Sequence, residues 1–68
     1  MKNRIRIERA ILDITQETLA KRVNVSRQTI NTIEAGKYVP STVLALKIAS
    51  IFGKTVEEIF SLEESDWK

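Results

Sequence analysis

The stretch that decides the fold is residues 16–35, QETLAKRVNVSRQTINTIEA. Its apolar residues recur at helical spacing on either side of Asn24, a residue type that adopts the left-handed backbone conformation at low cost. Ala20 is small where two helices would cross closely, and Ile30 and Ile33 are spaced to anchor the second helix from beneath. The stretch therefore predicts two short helices joined by a tight turn.

The outer face of that second helix carries hydrogen-bonding side chains. Ser26 stands at its start, and Arg27, Gln28, Asn31 and Thr32 follow on the side away from the isoleucines. In the major groove of DNA, arginine can pair with guanine, and asparagine or glutamine with adenine. A face selected only for solubility would more often carry Glu and Lys, so the pattern indicates DNA reading, although any one of these residues could be merely solvated.

The rest of the chain reads as helical because no alternating β pattern is present. Thr15, Ser26, Ser41 and Thr55 are N-cap residues, and Glu58 completes a capping box with Thr55. Gly36 and Gly53 supply left-handed helix ends. We therefore predict five helices, at about residues 3–12, 16–22, 27–35, 42–52 and 56–60.

Core candidates recur three and four residues apart, as a buried helix face requires. They are Ile5, Ile14, Leu19, Ala20, Val23, Val25, Ile30, Ile33, Val43, Leu44, Leu46, Ile48, Ala49, Ile59 and Phe60.

Length and composition exclude several classes of protein. The chain has 68 residues, which allows one domain whose core would contribute only about 3–5 kcal/mol. It has no cysteine and no histidine, and no nucleophile set or phosphate-binding glycine loop, so we expect neither an enzyme nor a metal, cofactor or small-molecule ligand. No apolar run is long enough to span a membrane and no signal core follows the basic N-terminus, so we expect a cytoplasmic protein.

Charge is distributed unevenly along the chain. The net charge is +2, but residues 1–54 hold ten of the eleven Lys and Arg, whereas residues 55–68 hold five of the nine Asp and Glu. The first part can therefore face a polyanion while the acidic end points away. Ordinary solvated charge on helix surfaces is the alternative interpretation.

Two strings, TQETLAKRVNVSRQTINTIEAGKYVPS and LALKIASIFGKTVEEIF, resemble the phage repressor and Cro class of helix-turn-helix regulators, also called the XRE family. The resemblance covers about residues 5–60 and extends to short stand-alone members, such as repressors of the cytolysin-operon type. It implies an all-α, five-helix lambda-repressor-like domain, with a short β-pairing of the chain ends as an option. Within a single domain of residues 1–68, it implies a core at 5–60, a helix-turn-helix at 16–35 and an acidic tail at 61–68.

The resemblance also implies residue roles in binding double-stranded DNA. Gln16 matches a position whose side chain and helix N-terminus hold a phosphate. Lys37 and Tyr38 match backbone-contacting positions, although a solvated lysine and a core tyrosine remain alternatives. The implied base-edge residues and their flanking neighbours are Arg27, Gln28 and Asn31, with Ser26, Thr29 and Thr32 beside them.

The first helix carries one implied ion pair and one departure from the family. Arg9 and Glu34 match a paired arginine and glutamate that join the first helix to the recognition helix. Glu8 stands where the family usually has a large apolar residue, while Ile7 and Ile11 occupy positions that are often charged. A rotated helix that buries the two isoleucines is the favoured interpretation, and an exposed apolar pair that contacts a partner is the other.

We expect a homodimer because one recognition helix reads too few base pairs for useful discrimination. The predicted contact surface is the fifth helix and the tail, with Phe52 as a further candidate, although Phe52, Ile59 and Phe60 could instead be buried within their own subunit. Trp67 could pack on a neighbouring subunit, or the tail could pair with the N-terminal residues as a short strand. The interface residues are Val56, Ile59, Phe60, Leu62 and Trp67.

These observations predict a sequence-specific DNA-binding regulator, a repressor that binds a near-palindromic operator as a homodimer. An antitoxin-type or other partner-binding module with the same fold is the main alternative. Sequence-neutral DNA packaging is a further alternative, but it would use more basic charge than +2 and would have no need of Gln28 and Asn31.

Overall fold

A computed structural model describes all residues of the chain, 1–68. It contains five helices, a two-stranded antiparallel pairing of the chain ends and a final 3₁₀ turn. In chain order the elements are β1 (Lys2–Asn3), α1 (Ile5–Leu12), α2 (Gln16–Arg22), α3 (Arg27–Glu34), α4 (Thr42–Ile51), α5 (Val56–Ile59), β2 (Phe60–Ser61) and a 3₁₀ turn (Glu64–Trp67). The predicted five-helix fold and the optional β-pairing are both confirmed.

Helices α2 to α5 begin at the four predicted N-cap residues. In each case the hydroxyl of the cap accepts a hydrogen bond from the backbone N–H three residues later, for example from Thr18 to Thr15 at 3.0 Å and from Thr29 to Ser26 at 3.1 Å. Such bonds satisfy amides that have no partner inside the helix. At α5 the Glu58 carboxylate also accepts from the Thr55 backbone, so the predicted capping box is complete.

Helices α1 to α4 end in the same way, with one left-handed residue. Asp13, Asn24, Gly36 and Gly53 have φ angles of 55°, 60°, 75° and 65°. At each end, two backbone N–H groups donate to carbonyls of the last helical turn, as Gly36 does to Ile33 and Lys37 to Thr32, both at 3.0 Å. This is the Schellman arrangement. Because four helices end in this compact arrangement, the chain turns sharply at the end of each one.

One apolar core lies between the helices. Its fully buried large side chains are Ile5, Leu19, Ile30, Ile33, Ile48 and Ile59, and the rest are Ala20, Val23, Leu44, Ala45, Ala49, Phe52 and Phe60. Ile14 and Val25 pack against this core but are only partly buried. Most of the predicted core residues are therefore buried, and the two that are exposed are on α4.

Two core predictions on α4 are wrong. Val43 and Leu46 are 63% and 56% exposed, whereas Ala45 and Phe52, which were not among the core candidates, are buried. The cause is the sequence of α4, TVLALKIASI, which is apolar on nearly every side. Because such a helix has no polar face to mark the solvent side, its spacing does not decide which face meets the core.

The N-terminal residues form a strand instead of the first turn of α1. Helix α1 begins at Ile5, not at Asn3, because Lys2 and Asn3 pair with Ser61 and Phe60. The side chain of Asn3 holds the junction: its Nδ2 donates to the Ile33 carbonyl at 2.9 Å, and its Oδ1 accepts from the Ile5 backbone at 3.2 Å. The strand is thereby attached to the C-terminal end of α3.

The favoured interpretation of α1 is also wrong, because the helix is not rotated to bury its isoleucines. Glu8 is buried, with 3% of its surface exposed, and its Oε2 lies 3.5 Å from the Lys54 Nζ. Ile7 and Ile11 are exposed, Ile11 to 68%. The lysine near the end of α4 makes a buried glutamate acceptable at a position where the family usually has an apolar side chain.

The tail folds back toward the N-terminus. The Met1 ammonium nitrogen lies 3.2 Å from carboxylate oxygens of both Glu63 and Asp66. The strand that pairs with the N-terminal residues is Phe60–Ser61, so Trp67 takes no part in it and remains exposed. None of the helices has the length and apolar character needed to cross a membrane.

The left-handed Asn24 gives a first test of the turn between α2 and α3. We expect Asn24→Ala to lower the free energy of unfolding by about 1 kcal/mol. Alanine has a Cβ but no polar group that can form a local hydrogen bond, and such a side chain is disfavoured at positive φ. Asn24→Gly should stay close to the wild type, since glycine adopts this conformation freely. Urea denaturation of the three proteins measures both changes, and equal stability of Asn24→Ala and the wild type would contradict the constraint.

Candidate nucleic-acid interface

Helix α3 is held against α2 by apolar side chains on its inner face. Ile30 and Ile33 are fully buried, as is Leu19 of α2, and Ala20 is 2% exposed at the crossing. The Val25 N–H donates to the Ala20 carbonyl at 3.0 Å and closes the turn. The outer face of α3 is consequently presented to solvent by a rigid pair of helices.

Three of the predicted base-reading side chains share one exposed surface. Arg27, Gln28 and Asn31 are all exposed, and together they line a shallow depression on α3. They supply a guanidinium and two carboxamides, which are the groups that pair with purine edges in a major groove. The geometry therefore brings together the side chains with the greatest capacity to discriminate bases.

The three hydroxyl residues of the prediction are engaged inside α3. The Ser26 Oγ accepts from the Thr29 backbone and lies 2.9 Å from the Thr29 Oγ1. The Thr32 Oγ1 lies 3.0 Å from the carbonyl oxygens of both Gln28 and Thr29, to which it can donate. Since these hydroxyls already have partners within the helix, Ser26, Thr29 and Thr32 stabilise α3 itself.

Gln16, at the start of α2, faces the middle of α3. Its Nε2 lies 3.3 Å from the Asn31 Oδ1 and 3.2 Å from the Glu34 Oε1. It also lines a polar cleft with Thr15 and Arg27, between the end of α1 and the starts of α2 and α3. The structure thus joins the predicted phosphate-contacting residue to a predicted base-reading residue by a direct hydrogen bond.

Lys37 and Tyr38 lie in the segment that follows α3, after Ala35 and Gly36. Both are exposed, and the backbone N–H of Lys37 is tied to the Thr32 carbonyl of the last turn. Tyr38 is half-exposed and is not part of the core. The two side chains are therefore accessible to a partner at the end of α3.

An ion pair joins α1 to α3 beneath this surface. The Arg9 Nε donates to the Glu34 Oε2 at 2.6 Å and the Arg9 Nη2 to the Glu34 Oε1 at 3.1 Å, in a two-pronged contact. The Arg9 Nη1 also donates to the Ile14 carbonyl at 3.1 Å. The Glu34 side chain is 1% exposed. Two parallel bonds to one carboxylate hold both side chains in a defined orientation.

The charge of Glu34 is maintained by its neighbours. Burial acts to raise the pKa of the Glu34 carboxyl, but the hydrogen bonds from Arg9 and Gln16 and the charges of Arg9 and Arg6 outweigh this effect and lower it below its ordinary value. The hydrogen bond to Glu34 raises the pKa of Arg9 in turn. Both groups are therefore charged at neutral pH.

Arg6 is a further member of the Arg9–Glu34 cluster and was not predicted from the sequence. Its Nε lies 3.6 Å from the Glu34 Oε1, although the Arg6 side chain is mostly exposed. Arg6 and Arg9 are three residues apart on α1 and so share one side of the helix, which is the signal that could have indicated a second arginine near Glu34.

Two of the predicted dimer residues, Val56 and Phe60, border one groove, and the others do not line it. Ile59 and Phe60 are buried in the core of their own subunit, so their assignment to an intermolecular contact is corrected. Val56 is partly buried, and Leu62 and Trp67 are exposed. That groove is apolar, and its other lining residues include Val39, Pro40, Ala45 and Leu46, from the loop before α4 and from α4 itself.

Comparison with known proteins agrees with this geometry. Residues 5–59 match the protein family HTH_3, described as helix-turn-helix. An uncharacterized HTH-type transcriptional regulator of Methanocaldococcus jannaschii is 53% identical over 66 residues, which cover 97% of this chain and all of that protein.

Two further relatives carry the same description. The HTH-type transcriptional regulator YgzD of Bacillus subtilis, also uncharacterized, is 47% identical over 97% of this chain and all of that protein. One from Archaeoglobus fulgidus is 50% identical over 97% of this chain and 93% of that protein. The family and these names describe transcription regulators, which are not a class of enzyme.

The Arg9–Glu34 pair makes stability depend on acidity. Because the pKa of Glu34 is lowered by folding, its stabilisation is present above its unfolded-state pKa of about 4.3 and is lost as the pH falls through the folded-state value. We expect Glu34→Gln to lower the free energy of unfolding at pH 7 by about 1.5–3 kcal/mol. The difference from the wild type should shrink on acidification.

Thermal unfolding between pH 7 and pH 3 measures this difference. Glu17→Gln, at an exposed glutamate on α2, is the matched control and should leave stability nearly unchanged at pH 7. If Glu34→Gln and Glu17→Gln have the same stability at every pH, the Arg9–Glu34 pair contributes nothing to the loss of stability in acid.

Proposed function

This chain belongs to the helix-turn-helix family HTH_3 and is a DNA-binding transcription regulator, and we propose that it acts as a repressor that binds a near-palindromic operator as a homodimer. The observation that carries the proposal is the exposed trio Arg27, Gln28 and Asn31 on a helix whose opposite face is locked into the core. The relatives from M. jannaschii and B. subtilis align over their full length, which supports a likeness to short stand-alone repressors of the cytolysin-operon type.

Helix α3 has the dimensions for reading a major groove. It has eight residues and is therefore about 12 Å long, comparable to the width of the groove. Its exposed side chains include one charged group and several neutral hydrogen-bonding groups, so hydrogen-bond readout should contribute more at this surface than bulk attraction. In the proposal, Arg27, Gln28 and Asn31 contact base edges, and Ser26, Thr29 and Thr32 shape the helix beside them.

Contacts to the phosphate backbone come from the two ends of the helix-turn-helix. Lys37 and Tyr38 are exposed immediately after α3, where they can reach one strand. Gln16 is the first residue of α2, where the backbone amides of the first turn have no partners within the helix. The excess of Lys and Arg in residues 1–54 adds attraction that does not depend on sequence.

A second copy of the chain is needed for useful specificity. The fold presents one recognition helix, and family members with this motif bind half-sites about 34 Å apart as dimers. We assign the contact to the α4 surface, defined here as Val39, Val43, Leu46 and Val56. Val43 and Leu46 are large apolar side chains left in solvent on one face of α4, and Val39, Leu46 and Val56 line one groove.

The occupant of the α4 surface in this proposal is a second copy of the same chain. A twofold contact places the same patch on both sides, so an apolar groove edged by its own exposed leucine can be complementary to itself. This assignment replaces the predicted contact through Ile59 and Phe60, which the fold uses for its core.

A partner-binding module of the antitoxin type is the second candidate function. The observation that favours it is the exposed pair Ile7 and Ile11 on α1, neither of which lines the depression formed by Arg27, Gln28 and Asn31. Dissociation of an assembly by Ile11→Lys, and not by Leu46→Lys, would favour this candidate.

Selection from a random DNA pool tests the readout. We expect the wild type to enrich a near-palindromic motif, and Gln28→Ala to relax specificity at one position of each half-site by about 1–3 kcal/mol. Lys37→Ala is the control: loss of a phosphate contact should weaken binding to all sequences without changing the motif. An affinity ratio near one between the enriched motif and random DNA, at the same salt concentration, would instead indicate sequence-neutral packaging.

The oligomeric state tests the α4 surface. We expect the wild type to be a dimer by sedimentation at high micromolar concentration, and Leu46→Lys to be a folded monomer, because a lysine is tolerated at an exposed helical position but not in an apolar contact. Ile11→Lys places the same charge on an isoleucine of α1 that is at least as exposed as Leu46, and should remain dimeric. A wild type that is monomeric throughout this range would contradict the dimer.

A further inference from the structure

A continuous set of side-chain hydrogen bonds runs from the buried ion pair to the base-reading surface. It passes from Arg9 to Glu34, from Glu34 to Gln16, and from Gln16 to Asn31, and it links α1, α2 and α3. The Arg9–Glu34 ion pair, at one end of the set, lies beneath the helix-turn-helix, and Asn31, at the other end, is exposed on the outer face of α3.

We propose that this chain of hydrogen bonds orients the Asn31 carboxamide so that it offers an N–H donor to the base pair, which makes Gln16 a positioning residue that sets base preference. The inference rests on the proposed function, because it concerns how the same surface reads DNA. It assigns to the Gln16 side chain a role in specificity, and leaves contact with the phosphate backbone at the start of α2 to backbone N–H groups.

The first step is the fixed orientation of Glu34. Its two carboxylate oxygens receive two bonds from one guanidinium, of 2.6 Å from the Arg9 Nε and 3.1 Å from the Arg9 Nη2. Such a contact leaves the carboxylate little freedom to rotate. The Glu34 Oε1 is therefore held in place where it meets Gln16.

The second step is the choice between the two orientations of the Gln16 carboxamide. An ionised carboxylate can only accept hydrogen bonds, so the group of Gln16 that lies 3.2 Å from the Glu34 Oε1 must be the NH2 group. The reversed orientation would place two acceptor oxygens against each other. Because the pKa of Glu34 is lowered, the carboxylate keeps this selectivity at neutral pH.

The third step transfers the orientation to Asn31. The same Gln16 nitrogen lies 3.3 Å from the Asn31 Oδ1 and supplies its second hydrogen to it. The Asn31 Oδ1 is thereby turned toward α2, and the Asn31 NH2 group is turned toward the open face of α3. An unrestrained asparagine would use both its oxygen and its nitrogen in a paired contact with adenine.

A donor presented alone favours base edges that offer acceptors. Guanine has two acceptors in the major groove, N7 and O6, whereas adenine has one acceptor and one donor. We therefore expect guanine to be preferred over adenine at the base pair that faces Asn31. Since both hydrogens of the Gln16 nitrogen are engaged, phosphate contacts at the start of α2 are left to backbone N–H groups.

The experiment is selection from a random DNA pool with the full chain and two variants of Gln16. Asn31→Ala first identifies the position that Asn31 reads, as the one that loses its preference. Gln16→Met removes the donor at similar length, and should shift the guanine-to-adenine ratio at that position toward adenine by at least about fivefold. The positions read by Arg27 and Gln28 should keep their preferences.

Gln16→Lys is the matched control. Its ammonium can donate to both the Glu34 carboxylate and the Asn31 oxygen, so the guanine preference should be retained even though overall affinity rises with the added charge. Circular dichroism and thermal unfolding verify the fold of each variant. If Gln16→Met does not fold, Gln16→Ala takes its place, since alanine is the best helix former.

The outcomes separate this inference from the proposed function. If the wild type enriches no motif, the proposed function fails. If the wild type enriches a motif but Gln16→Met leaves the Asn31 position unchanged, or if Gln16→Lys shifts it as Gln16→Met does, the orientation of Asn31 by Gln16 is overturned and the proposed function stands.

Discussion

The Glu34 carboxylate is the group on which the arrangement of the first three helices depends. It is buried where α1, α2 and α3 meet, and it accepts hydrogen bonds from Arg9 and Gln16. A buried charge without partners would be strongly destabilising, so the fold is stable only in the geometry that brings these donors to it. The same requirement fixes α3 relative to α1, which a small apolar core would do less firmly.

Local features of this fold could be predicted from the sequence because each depends on one residue type at one place. Thr15, Ser26, Ser41 and Thr55 have the hydroxyls that helix starts require, and Gly36 and Gly53 have the backbone freedom that helix ends require. The face of α4 could not be predicted, because its apolar residues occur on all sides. Burial of Glu8 depends on Lys54, which the spacing along α1 does not reveal.

The candidate site likewise has features that could be predicted from the sequence and features that could not. The polar outer face of α3 was visible in the sequence, since Arg27, Gln28 and Asn31 remain after the buried isoleucines are removed. The contact of Gln16 with Asn31 was not, because it depends on where α2 places its first side chain against α3. The bonds of Ser26, Thr29 and Thr32 lie within α3 and join residues three or four apart. The residues proposed for the contact between subunits differ from those predicted, because Ile59 and Phe60 are buried in the core of their own subunit. Val43 and Leu46 are exposed instead.

The pairing of β1 with β2 has a consequence for the order of folding. It joins Asn3 to Phe60 and so closes a loop that contains nearly the whole chain, which costs more chain entropy than the neighbouring contacts of α2 with α3. Two-residue strands are too short to be stable alone, and Asn3 holds them only once the end of α3 exists. We therefore expect the helix-turn-helix to assemble from local contacts, and the terminal strands to close last and open first. In that order of events, α3 would be among the early parts of the molecule to form, and the chain ends would pair only after the core has been built.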